Sequence, residues 1–175
     1  TEKEDIYKFK RTNNTYMKKV FLFIILAGLS IKASNAQTVY NEIFRMAKET
    51  VSNPHKSLET RKINQFKVDE LNYMAMKSRE IMPDSAATVL DYQALALYEY
   101  VDLFVNKLGE AKRKKEKEHI LKIFKEATIN NPRFFDMDTN LVMSYYNSDK
   151  FITQFSLDTD WVKALAEVRN RLRDK

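Results

Sequence analysis

The side chains best suited to do chemistry in this 175-residue chain are four aspartates in two short clusters. Asp136-Met137-Asp138-Thr139-Asn140 sets oxygen ligands at alternate positions, as a calcium loop begins. That loop also requires Gly at its sixth place and Glu at its twelfth, where this chain carries Leu141 and Asn147. The same spacing opens the phosphatase pattern D-x-D-x-T, but Asn140 stands in the Thr position and no parallel-sheet pattern surrounds it. The second cluster, Asp158-Thr159-Asp160-Trp161, places two carboxylates beside a large ring whose N–H seeks a partner. Asp158, Asp160 and Trp161 therefore form a candidate binding patch. Against both clusters stands the simpler use of Asp or Thr as a helix cap.

Other chemistries are thin. His55 and His119 are far apart in sequence and belong to no metal-binding spacing, and no G-x-S-x-G nucleophile motif occurs. The chain has no Cys, which removes thiol nucleophiles, thiolate zinc sites and a lipid-modified cysteine. Of its two glycines, Gly28 and Gly109, neither sits in a phosphate-binding loop, and such loops need several. No metal and no cofactor is expected. Lys112-Arg113-Lys114-Lys115-Glu116-Lys117-Glu118 is the strongest local charge; it suits an anionic surface, but no aromatic residue is interleaved as a single-strand binder requires. Tyr145 and Tyr146 join the candidate binding residues, because aromatic rings stack on sugars or anchor protein partners. Their competing role is to line the edge of a core with the hydroxyl reaching water.

The elements that must position these residues read as helices. Apolar spacing predicts five: near Val39 to Val51, Leu58 to Ile81, Asp84 or Ser85 to Leu108, Glu110 to Ile129, and Asp160 to Arg173, with a short turn of helix from Thr139 to Asn147. Ser57 is the expected cap of the second, Asp138 or Thr139 of the short turn, and Asp158 or Thr159 of the last. Leu90, Ala94, Leu97, Val101, Phe104 and Leu108 repeat at steps of four and three, the seam of a helix packed by several neighbours. Gly109 is placed to end it as a left-handed cap. Phe151 to Leu157 alternates weakly and reads as extended. Short links between the first four helices favour antiparallel neighbours. The expected fold is all-α, an up-and-down bundle of about five helices with a shorter, irregular C-terminal part.

The N-terminal region reads as an address. Met17-Lys18-Lys19 precedes the uncharged run Val20 to Ile31, and small residues Ser34 and Ala36 follow. Basic start, apolar run and small-residue site are the parts of a cleavable signal peptide, and the run is short of the roughly 20 residues of a spanning helix. Residues 1–16 are expected to be an upstream or non-native extension, residues 17–36 the signal peptide with cleavage between Ala36 and Gln37, and residues 37–175 a single domain. The net charge of +6 then falls to +2, because residues 1–36 hold seven basic and three acidic side chains. That near-balance argues against a nucleic-acid partner, which needs a basic footprint.

Lys62-Ile63-Asn64-Gln65-Phe66-Lys67-Val68-Asp69 and Phe155-Ser156-Leu157-Asp158-Thr159-Asp160-Trp161 resemble segments of small exported helical proteins of Gram-negative bacteria. That resemblance implies a helical fold and export; it carries no activity and no functional residue. Phe124 to Tyr146 is similar to a tetratricopeptide repeat, but the 34-residue period is not sustained and its Trp-x-x-Leu-Gly signature is missing. The expected function is a non-enzymatic binding module of the cell envelope, periplasmic or secreted, whose partner is an envelope protein or a glycan. The alternatives are a carboxylate-based hydrolase and a membrane-surface or helical-repeat-like adaptor.

Overall fold

Six helices account for the regular structure of residues 38–83 and 87–173, the residues described by the computed structural model. They are α1 (Thr38–Ser52), α2 (Leu58–Ile81), α3 (Ala87–Glu110), α4 (Lys114–Asn130), α5 (Thr139–Val142) and α6 (Trp161–Arg173). No strand occurs among the described residues. The expected signal peptide with its cleavage site at Ala36 and Gln37, like the expected cap at Asp84 or Ser85, lies outside them. Among the described residues no helix is long and apolar enough to cross a membrane.

The fold is the all-α bundle that the apolar spacing predicts. Helix α3 packs against α1, α2, α4 and α6, and Leu90, Ala94, Leu97, Val101 and Phe104 of its seam are all buried. A helix that touches four others needs a wide apolar stripe, and Tyr100 extends it to another side. Around Tyr100 the core is aromatic. Phe124, Phe155 and Trp161 meet its ring edge-on, with centroids 5.2, 5.4 and 5.2 Å away. Phe66 from α2 and Phe104 complete the cluster, and none of the six side chains is exposed. Each such edge-to-face pair adds about 0.5–1.5 kcal/mol to the burial of its area.

Ser57 caps α2 through a bond from the Thr60 N–H to its Oγ at 3.1 Å, as expected. Elsewhere the chain departs from the sequence pattern for local reasons. Gly109 is not a left-handed cap; α3 runs through it to Glu110, and the Ala111 N–H still bonds the Lys107 carbonyl at 3.1 Å. Helix α4 starts at Lys114 rather than Glu110, because Glu116 folds back to accept the N–H groups of Lys112 and Arg113. The helix expected over Thr139 to Asn147 stops at Val142, and turns follow. Phe151 to Leu157 is irregular rather than extended in a sheet, with Phe155 and Leu157 buried and the Leu157 N–H donating to the Val142 carbonyl. Asp160, not Asp158 or Thr159, caps α6, accepting from the Lys163 N–H at 3.2 Å.

Candidate docking site

Asp158 and Asp160 are two residues apart but do different work. Asp158 is buried, and its carboxylate gathers one loop: Oδ1 accepts the backbone N–H groups of Arg133 at 3.0 Å and Phe134 at 2.7 Å, and Oδ2 that of Asp136 at 2.9 Å. Asp160 accepts from the Gln93 amide at 3.0 Å while it caps α6. Its other oxygen lies 3.5 Å from Lys163 Nζ and 3.9 Å from Arg133 Nη1. Burial raises the Asp160 carboxyl, but the Gln93 and Lys163 bonds and the two cations outweigh it and hold the group below its ordinary value.

Trp161 is fully buried and doubly anchored. Its backbone N–H donates to Gln93 Oε1 and its indole N–H to Glu70 Oε1, both at 2.8 Å. Glu70 is itself fully buried, and its Oε2 has no hydrogen-bond partner. Burial drives its carboxyl well above the ordinary range; the indole bond opposes this and the Asp158 charge adds to it. Burial inside the aromatic core thus favours the protonated form of Glu70. The sequence pattern had a trace of it: Glu70 falls in step with Ile63, Phe66, Tyr73 and Met74 on the buried side of α2.

The first aspartate cluster is also engaged. Asp136 Oδ1 accepts the Asp138 N–H, while Oδ2 accepts the Tyr73 hydroxyl at 3.0 Å and lies 3.1 Å from Lys77 Nζ. Burial raises Asp136, and these bonds overcome it to leave the carboxyl lowered. Asp138 caps α5 through the Leu141 N–H at 3.1 Å. None of the four aspartates is left as a free pair in a cleft. Among the described residues no group of three or more His, Asp or Glu side chains could hold a metal ion.

The two tyrosines separate. Tyr145 is buried; its hydroxyl donates to Asp69 and its ring meets Phe66 edge-on at 5.0 Å. Burial and the Asp69 charge raise its hydroxyl. Tyr146 is half-buried and carries the Lys125 ammonium 4.1 Å above its ring. Neither stands with Trp161 as an open aromatic platform.

Two outward apolar features lie close to these aspartates. Phe135 has φ 54°, a left-handed conformation costly for a bulky residue, and its side chain is 75 % exposed. Met137 is 90 % exposed. The amides on either side of Phe135 are held by Asp158, so the backbone is fixed with the phenyl ring outward. Nearby, Val89, Tyr92 and Val162 wall a shallow hollow of about 330 Å³ between α3 and the start of α6, with Gln93 and Asp160 on its floor and Lys163 beside it. The floor groups are already bonded to one another and to Trp161, so the hollow suits an apolar occupant better than a polar one. Residues 112–119 form a third outward feature, an exposed and mostly cationic stretch opening α4. Compared with protein-family models, curated proteins and solved structures, the chain matches none.

Proposed function

We propose that the chain is an exported, non-enzymatic binding module of the cell envelope that docks a protein partner through the Phe135 loop. The observation that carries the docking reading is the rigidly clamped, outward Phe135 beside the fully outward Met137. The left-handed backbone, at about 1–3 kcal/mol, is offset by the amide bonds to Asp158, but the exposed phenyl ring itself adds little burial within the chain. Bound to a partner, the same ring is a preorganised anchor of the kind that dominates interface energies. An apolar Phe and Met pair also favours protein over glycan, which needs hydrogen-bonding groups beside its stacking ring. Export is supported by the signal-like order of residues 17–36.

Two measurements test the reading. The protein expressed from Met17 and recovered from a periplasmic fraction should have the intact mass of Gln37 to Lys175; a mass that retains residues 17–36 sinks the export half. Retention of the purified protein on isolated envelopes should fall at least tenfold when Phe135 and Met137 are both changed to Ser. Unchanged retention sinks the docking half.

A further inference from the structure

We infer that the occupant of the hollow beside α6 is the Phe135 ring of a second copy of this chain. The inference rests on the reading of the Phe135 loop as a docking element and names its partner. The chain carries both halves of the contact: an outward phenyl with nothing to cover it, and an apolar-walled hollow whose polar floor is already satisfied. Size permits it: the hollow is open and shallow, about 330 Å³, room for one face of a phenyl ring to lie against its apolar walls. Charge agrees as well: exposed Asp138 follows Met137 on the loop, while two cations, Lys163 and Arg133, share the single carboxylate of Asp160 at the hollow and leave it a net positive charge.

The two halves are neighbours within one chain. Arg133, two residues before Phe135, reaches Asp160 on the floor of the hollow at 3.9 Å. Two copies facing each other can therefore exchange both rings at once, a closed two-fold contact rather than an open chain of molecules. The surfaces involved are small, so the pair is weak and concentration-dependent, and it forms where the chain is crowded.

A cysteine-free chain makes the test clean. Two full-length single-cysteine variants, Met137→Cys and an affinity-tagged Lys163→Cys, keep the Phe135 ring and the Val89, Tyr92 and Val162 walls while giving up the Met137 side chain and the Lys163 charge. Mixed and mildly oxidised, they should form a mixed disulfide at least tenfold faster than Met137→Cys mixed with Leu58→Cys, whose site is also exposed, at the start of α2. Adding Phe135→Ser to both chains, or Val162→Asp to both, should bring the rate down to that control. An unchanged melting curve for Phe135→Ser shows that the fold is not the cause. A rate no higher than the control, or one that survives Phe135→Ser, overturns the pairing. If that happens while Phe135→Ser and Met137→Ser still abolish envelope retention, the docking reading stands and only its partner was misnamed.

Discussion

Glu70 is the residue with the most to say about how this core is balanced. Its folded carboxyl is raised by burial, so the folded chain keeps its proton to a higher pH than the unfolded chain, whose ordinary value is 4.5. Stability contributed by that proton is fully present below pH 4.5 and is lost as pH rises toward the folded value. Glu70→Gln keeps an oxygen for the Trp161 indole and removes this penalty. We expect it to be more stable than the parent at pH 7 by about 1–3 kcal/mol, with the gap closing toward pH 4.5, as followed by urea unfolding across that range. A variant less stable at every pH would mean that the Glu70 charge is favourable where it sits. Phe135 makes the opposite kind of prediction. Glycine adopts φ 54° without strain, so Phe135→Gly should raise stability by about 1 kcal/mol in thermal unfolding, while it removes the ring proposed to dock. A gain in stability with a loss of binding is the mark of a residue kept for contact and not for folding.

Short polar devices decide where the elements begin and end. Helix α4 opens on a run of cations at its positive end, an arrangement the macrodipole disfavours. Glu116 compensates by accepting two free N–H groups. Glu116→Ala should therefore cost about 1–2 kcal/mol and fray the first turn, visible as faster amide exchange at Lys115 to Glu118 with α6 unaffected. The 133–136 loop depends on Asp158 in the same way. Asp158→Ala leaves three buried or half-buried amides without acceptors, at about 3–5 kcal/mol. Amide exchange at Phe134 and Asp136 should then match that of an open loop, and exchange that stays slow there would show the loop to be held by something else. These devices explain the departures from the periodic pattern. A left-handed cap was readable at Gly109 because glycine permits it, but α3 continues because its next amide finds a helical acceptor. The cap of α6 moved to Asp160 because Asp158 is drawn into the loop 22–25 residues earlier.

At the scale of the molecule, α6 closes the bundle. Trp161, Ala164, Leu165 and Val168 are buried on it, against α3 and α4. Each large side chain contributes about 1.5–3 kcal/mol by burial, against a total stability of about 5–15 kcal/mol for such a domain. A chain ending at Thr159 should consequently lose its cooperative thermal transition, and a retained sharp transition would make α6 an appendage. The all-α class, the bounds of α2, the seam of α3 and its central place follow from apolar spacing, because burial along a helix is local and periodic. So does the suspicion that acidic residues at helix starts are caps. Only tertiary structure decided the rest. Asp158 and Asp160 look equivalent in sequence, yet one binds a distant loop and the other a helix end, since a carboxylate's partner is whichever amide the fold brings near. Phe134 and Phe135 are adjacent identical residues; the first is buried against Tyr73 and the second turned to solvent. No periodicity separates them, because a loop has none, and the choice was made by three amides converging on one buried carboxylate.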